Sequence, residues 1–316
     1  MKIKNIISFS ILALQISCAS FAQHTLQKQE KFERKPFQKS PYKIKQPRKV
    51  DWRQDYDGKY NPKPHVVVID EKIGKYEYRW TGFDGKEIVV KFQRRDSVDA
   101  MAEADAVKSD DNRFIYTYTV TTSKNSPVNL DSFEIQAFAP DVKNIKEKSE
   151  PSMVLNPAGF IPFNEGFWWS FFPNAAVQPG KSVEFYLSSA SPPGIVNCLA
   201  SGGDQSLIVE SEFEMPSELE EEIPINEDLA RCFTIGPDER LLKFNNDQKT
   251  KYLLDNLLKF VMAGWMSEET AKNYESILKE NDLNAVYDKA KTDFKDESIS
   301  SEVFSIINGF NGEFLE

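Results

Sequence analysis

Histidine and cysteine are scarce in this chain of 316 residues, which contains two histidines and three cysteines. Most catalytic zinc sites and nucleophilic triads depend on these residues. The HExxH, paired CxxC and GxSxG motifs are also absent from the sequence, so we predict no metal site, no cofactor and no catalytic residues. One enzymatic alternative stays open. A secreted hydrolase acting on glycans needs only two suitably placed carboxylates.

Long hydrophobic runs are also missing, apart from one near the amino terminus. Lys2 and Lys4 precede an apolar run at 6–16, and small residues follow up to a cleavage point after Ala22. This is the pattern of a signal peptide, and the run is too short to span a bilayer. We therefore predict that residues 1–22 are removed. The mature chain is then secreted, periplasmic or extracellular, without a transmembrane segment.

The export prediction determines how the three cysteines are interpreted. In the alternative of a lipoprotein, Cys18 would be the lipid-modified first residue, but Gln15 and Ile16 depart from the usual lipobox. If Cys18 leaves with the signal peptide, Cys198 and Cys232 remain as a pair in an oxidising compartment, which predicts a disulfide. The bridge would close a loop of about 34 residues and stabilise the fold by about 3–4 kcal/mol. Two unlinked thiols are the alternative.

Charge is distributed unevenly along the chain. Residues 23–63 hold 12 Lys or Arg against 5 Asp or Glu, a net charge of +7, and 1–22 add two lysines. Because the net charge of the whole chain is −10, residues 64–316 carry a net charge of −19. An acidic body repels phosphates, so we predict no nucleic-acid binding. Prolines and the lack of apolar periodicity predict a basic disordered arm over 23–63. Three roles of this arm stay open: it is a solvated tether, it lies on the acidic body of its own chain, or it binds anionic envelope polymers.

Residues 64–215 have the pattern of an antiparallel β-domain. Short apolar strands are predicted at 167–172, 182–189 and 195–200, separated by turns that contain Pro-Gly. Alternating aromatic residues at 114–120 predict another strand. A hairpin is predicted from alternation on either side of the Asp84-Gly85 turn; its apolar residues are Tyr76, Tyr78, Trp80, Ile88, Val90 and Phe92. The acidic, alanine-rich stretch at 96–111 is interpreted as a loop or a short helix.

The period of the apolar residues changes to that of helices towards the carboxyl end. An acidic linker is predicted over 216–236, and a helical bundle over 237–316. Gly264 is placed near the end of the first helix, while Ser267 and Asp282 are good N-caps for the next two. The predicted fold class is thus an immunoglobulin- or fibronectin-like antiparallel β-sandwich followed by a small all-α helical bundle.

Two segments resemble known bacterial modules. The tract 252–315, with Ala263-Gly264-Trp265-Met266-Ser267 at its first turn, resembles the FIMAH-type helical modules of bacterial extracellular proteins. The β-domain is similar to immunoglobulin- or fibronectin-like sandwiches that precede such modules, on the basis of 116–120, Trp169-Ser170, Pro179-Gly180-Lys181-Ser182 and Pro193-Gly194-Ile195-Val196. The resemblance implies an accessory, non-catalytic role and supplies no catalytic residue.

The aromatic strand at 167–172 is the best candidate for a binding surface. Strand alternation sends Trp168 and Phe172 to one face and Phe171 to the opposite face. If the opposite face packs in the core, Trp168 and Phe172 form an aromatic surface that suits a glycan, an envelope polymer or a protein partner. In the alternative, both faces of the strand are covered. We therefore predict a non-catalytic binding or adhesion protein of the envelope or the exterior, or alternatively a structural scaffold.

Overall fold

The computed structural model describes residues 32–39, 65–82, 86–145, 152–155, 167–173, 175–202 and 229–311. Within them the chain forms twelve β-strands and then four α-helices. The strands are β1 His65–Asp70, β2 Lys75–Thr81, β3 Glu87–Gln93, β4 Ala100–Lys108, β5 Phe114–Thr122, β6 Leu130–Ala137, β7 Lys143–Asn144, β8 Ser152–Leu155, β9 Phe167–Pro173, β10 Ser182–Ser189, β11 Pro193–Gly202 and β12 Ala230–Pro237. The helices are α1 Asn246–Met262, α2 Glu268–Lys279, α3 Leu283–Lys295 and α4 Ser301–Asn311.

The strands form three antiparallel sheets. Their orders are β1-β2-β3, β4-β5-β10-β7 and β12-β11-β6-β9-β8. The strands predicted at 167–172, 182–189 and 195–200 are confirmed as β9, β10 and β11. The predicted hairpin is confirmed as the antiparallel pair β2 and β3, while its turn at 84–85 lies outside the described residues. Antiparallel strands followed by helices are therefore the architecture that the sequence predicts.

Aromatic rings from the two larger sheets form the centre of the core. The ring of Phe185 on β10 lies 5.7 Å from that of Phe133 on β6 and 4.9 Å from that of Phe171 on β9, centre to centre. Along β5 the residues alternate between buried and half-buried, and Tyr118 is one of its fully buried members. This period of two, visible in the sequence, is what points the large rings inwards.

The buried core does not stop where the strands give way to helices. One continuous cluster of buried apolar side chains includes both larger sheets and all four helices, with Leu253 of α1 and Ile306 of α4 among its members. The three-stranded sheet instead has its own small cluster, which consists of Val66, Tyr76, Tyr78, Trp80 and Val90. The apolar packing therefore divides between β3 and β4, and not near residue 237.

The helix ends agree with the sequence. The Ser267 hydroxyl accepts a hydrogen bond from the Thr270 amide at 3.1 Å, and an Asp282 carboxylate oxygen accepts one from the Ala285 amide at 3.0 Å. Both predicted N-caps are therefore confirmed. Gly264 follows α1 with a φ of +71°, the left-handed conformation that commonly ends a helix.

Strand β4 corrects the interpretation of 96–111 as a loop or short helix. It pairs with β5 along its whole length, and its buried alanines leave room for α4 to approach. A carboxylate oxygen of Glu302 accepts a hydrogen bond from the Ala104 amide at 2.8 Å, and the Ser305 hydroxyl accepts one from the Ala106 amide at 3.2 Å. Helix side chains thus satisfy amides of this edge strand.

Two predicted boundaries also change. Strand β12 lies at the edge of the five-stranded sheet and occupies 230–236, which the sequence placed in the linker 216–236. Its β-branched and aromatic residues pair with β11, whereas the part at 216–228 lies outside the described residues. In the arm 23–63, the segment 32–39 is packed on the body of the protein instead of being disordered. We call residues 32–39 the strap.

Candidate binding cavity

The strap is held by backbone hydrogen bonds to three separate elements. The Phe37 amide donates to the carbonyl of Ala100, the first residue of β4, at 2.9 Å. Gln38 and Arg231 of β12 exchange two backbone bonds of 2.7 and 2.8 Å. The Lys35 amide donates to the carbonyl of Ala263, between α1 and α2, at 3.2 Å. The strap therefore ties both larger sheets to the first helices.

Side-chain packing fixes the strap as well. Phe37 is only 6% exposed, and its ring meets Phe133 of the core edge-on at 6.3 Å. On the helical side the strap runs directly over Gly264, where a Cβ atom would lie 1.9 Å from the Glu33 carbonyl oxygen. No other residue fits at this position without moving the strap, so the glycine serves both the helix end and this contact.

Arg34 connects the strap to a buried carboxylate. Its guanidinium donates to Glu302 at 3.1 Å and to the Ser301 hydroxyl at 3.2 Å, and it pairs with Glu103 at 3.3 Å. Glu302 is 1% exposed whereas Glu103 is 56% exposed, so Glu302 is the desolvated and energetically important partner. The arm therefore lies on its own acidic body at this point, one of the alternatives left open by the sequence.

A cavity of about 230 Å³ lies beneath the strap. Its wall is formed by the strap, β4, β11, β12 and the end of α1 with the following turn. The lining residues are Arg34, Lys35, Pro36, Gln38, Ala102, Asn197, Arg231, Cys232, Phe233, Met262, Ala263 and Trp265. We call this space the strap cavity.

The lining of the strap cavity combines apolar and cationic side chains. Arg34, Lys35 and Arg231 belong to it, and the described part of the lining includes no Asp or Glu. The Lys259 ammonium lies 6.0 Å from the ring centre of Phe233 and adds a fourth positive charge nearby. The described lining therefore suits an anionic group, and these residues do not supply the carboxylate pair that the hydrolase alternative requires.

The structure places the predicted aromatic pair on the outer face of the five-stranded sheet. Trp168 is 6% exposed and packs with Leu199 and Leu229, so it does not contribute to an open surface. Phe172 is 37% exposed. Of the expected aromatic surface, only Phe172 is exposed. Trp168 is covered, as the alternative interpretation of this strand expected. The role of both residues in ligand binding stays a prediction.

Polar residues share this outer face with Trp168. The Gln136 side chain accepts a hydrogen bond from the Asn197 amide group at 3.0 Å. Burial raises the pKa of Glu134, while the nearby Arg95 charge and a hydrogen bond to Ser170 act in the opposite direction. The raised pKa of Glu134 indicates that this face is a partly desolvated polar surface.

The two remaining cysteines face one another. Cys198 on β11 and Cys232 on β12 are register partners, and both are free thiols. Directly opposed residues in an antiparallel pair have Cα atoms about 4.5–5.5 Å apart, which lies within the range that a disulfide bridges. The disulfide stays a prediction, and it requires no shift of the strands.

Among the described residues, no group of three or more His, Cys, Asp or Glu could hold a metal ion. In that same part of the chain, no helix combines the length and apolar character needed to cross a membrane. The predicted signal peptide lies outside the described residues. No protein-family model matches the chain, and no curated protein matches it. The resemblance to FIMAH-type modules therefore stays a prediction.

Sequence reasoning did not single out the cationic residues of the strap cavity. The basic character of 23–63 was visible in the sequence. However, the residues that the strap contacts on β12 and α4 lie more than 190 residues away, as the hydrogen bonds of Gln38 to Arg231 and of Arg34 to Glu302 show. The clue that was available is the contrast between a basic arm and an acidic body. Arg231 carried no signal, because it lies in the segment assigned to the linker.

Proposed function

We propose that this protein is an exported, non-catalytic binding protein whose strap cavity receives an anionic group of a cell-envelope polymer. The observation that carries this proposal is the lining, whose described residues include Arg34, Lys35 and Arg231 and no carboxylate. Because Arg34 is paired with Glu302, we assign ligand binding to Lys35 and Arg231. A cavity of about 230 Å³ is smaller than typical drug-sized sites of about 300–1,000 Å³. It therefore accepts one acidic group, with the remainder of the polymer outside.

Our interpretation of the fold is also a proposal, and it agrees with a binding role. We interpret the two larger sheets as an immunoglobulin- or fibronectin-like sandwich, because their aromatic rings meet in one core. We interpret the four helices as a small FIMAH-like bundle docked on it. Export through the signal peptide 1–22 would bring the cavity to the compartment where acidic envelope polymers occur, and would favour the Cys198–Cys232 disulfide.

The proposal is tested by measuring binding to acidic polymers by calorimetry. Polygalacturonate, polyglutamate and a teichoic-type polyphosphate are the probes, and neutral amylose is the reference. We expect binding to at least one acidic polymer that weakens as salt is added. The double variant Lys35→Gln/Arg231→Gln should lower the affinity about tenfold, equivalent to about 1.4 kcal/mol. Both changes leave the backbone bonds of the strap intact.

A matched control separates the cavity from general charge effects. Lys181 and Lys272 are exposed lysines outside the cavity lining, and Lys181→Gln/Lys272→Gln changes the net charge by the same amount. This control should bind like the original protein. Equal weakening by both double variants, or no binding to any of the three acidic polymers, would contradict the proposal.

A further inference from the structure

One wall of the strap cavity contains a thiol with a second thiol directly behind it. Cys232 belongs to the cavity lining, whereas its register partner Cys198 is fully buried and does not. The two side chains are linked by a hydrogen bond. The pair is therefore asymmetric: the partly exposed Cys232 faces the cavity, and the buried Cys198 is its cross-strand neighbour.

We propose that Cys232 is a thiol-exchange site at which a small anionic disulfide, entering through the strap cavity, oxidises the Cys232–Cys198 pair. The inference goes beyond polymer binding, because it depends on the position of the two thiols in the cavity wall. It also gives the predicted disulfide a defined route of formation, with one cysteine that attacks and one that resolves.

The exchange is balanced with the disulfide RS–SR as the oxidant. Cys232 loses its proton, and its thiolate attacks one sulfur of RS–SR, so that the S–S bond breaks and RS⁻ leaves. The Cys198 thiolate then attacks the Cys232 sulfur of the mixed disulfide, and a second RS⁻ leaves. Two protein thiols are oxidised by two electrons, and RS–SR is reduced to two RSH once both RS⁻ are protonated.

The charges around Cys232 select which disulfide enters. Arg34, Lys35 and Arg231 line the same cavity as Cys232. A cleft lined by cations raises the local concentration of anions and repels cations. A disulfide that carries carboxylates is therefore favoured over one of similar length that carries ammonium groups.

The environment of Cys232 also makes the thiol exchange slow when no oxidant is held in the cavity. Burial raises the pKa of the Cys232 thiol well above its ordinary value, and the hydrogen bond to Cys198 and the Glu302 carboxylate act in the same direction. Only a small fraction of the thiol is then ionised near neutral pH. Enrichment of the oxidant in the cavity compensates for this small fraction.

The test compares two disulfides of matched length on the full mature chain, reduced beforehand. The probes are 3,3′-dithiodipropionate, which carries two carboxylates, and cystamine, which carries two amines. Their rates on the folded protein are divided by those on the chain in urea, which removes differences in intrinsic reactivity. We expect this ratio to be about tenfold higher for dithiodipropionate, and Lys35→Gln/Arg231→Gln to abolish the preference while the fold is retained.

Mass spectrometry of trapped adducts identifies the attacking cysteine. In Cys198→Ala the mixed disulfide should accumulate at Cys232, whereas Cys232→Ala should leave Cys198 unmodified over the same time. In the unsubstituted chain, early quenching should find the adduct at Cys232 before the internal disulfide, so the result does not depend on either variant folding. Faster modification of Cys198, or no preference for the acidic probe, would overturn the proposal. Polymer binding is unaffected by either outcome.

Discussion

The small three-stranded sheet and the four helices differ in how they join the rest of the protein. The small sheet follows the same strand pattern as the larger sheets, yet it has a separate apolar cluster around Tyr78 and Trp80. The helices follow a different pattern, yet they share one continuous core with the two larger sheets. A change in the type of secondary structure therefore does not mark a boundary in packing, which is set by the faces that are buried together.

This comparison predicts the largest effect at the centre of the shared core. Phe133 is fully buried and contacts the rings of Phe171, Phe185 and Phe37. Phe133→Ala should lower the free energy of unfolding by about 3–5 kcal/mol. Circular dichroism should show sheets and helices unfolding together at lower urea. If the helical signal kept its original midpoint, the helices would be an independent unit.

A smaller effect is expected at the contact between β4, the strap and α4. In Glu302→Gln the side chain still accepts from Ala104 but loses its charge opposite Arg34. The free energy of unfolding should fall by about 1.5–3 kcal/mol, the usual value for a hydrogen bond to a charged group. The control Glu103→Gln, at the exposed partner of Arg34, should cost less than about 1 kcal/mol. Equal costs would contradict this account of the contact.

The outer face of the five-stranded sheet gives a pH-dependent prediction. Because the pKa of Glu134 is raised above its ordinary 4.5, the folded state favours the neutral carboxyl group. The stability linked to this group is fully present below that value and is lost as the pH rises through the raised pKa. Glu134→Gln should therefore raise the urea midpoint near pH 7, with a gain that shrinks towards pH 4. A gain that grows on acidification would contradict the sign of the shift.

The smallest effect on the shared core is expected from the separate sheet. Trp80 is 2% exposed within its own cluster. Trp80→Ala should release hydrogen-exchange protection in β2 and β3 while the unfolding free energy of the shared core changes by less than about 0.5 kcal/mol. A large shift in the main transition would show that the small sheet is part of the same cooperative unit.

Local patterns in the sequence were sufficient where local physics decides the structure. Alternation identified β5, and a short apolar run between turns identified β10. The side chains of Ser267 and Asp282 cap the helices as expected. Strand β4 was missed because alanine and glutamate favour helices, and pairing with β5 overrides that preference. The strap was missed because 32–39 has no periodicity and depends on distant partners.

The cavity follows from the strap, and so it was not predictable either. Its cations come from two segments that the sequence assigned to a disordered arm and a linker, and only the fold brings Lys35 and Arg231 together. Cys232 was recognised as a partner of Cys198, but its position on a cavity wall depends on the same long-range packing.

Native-state hydrogen exchange at increasing urea tests the central claim, which is that sheets, helices and strap form one unit that encloses the cavity. The amides of β6, β11, α1 and α4 should open with one common free energy, within about 1 kcal/mol, and with the same dependence on urea. The Phe37 and Gln38 amides should be protected in the native state. Helices that exchange at clearly lower free energy than β6 and β11, or a strap without protection, would contradict the account.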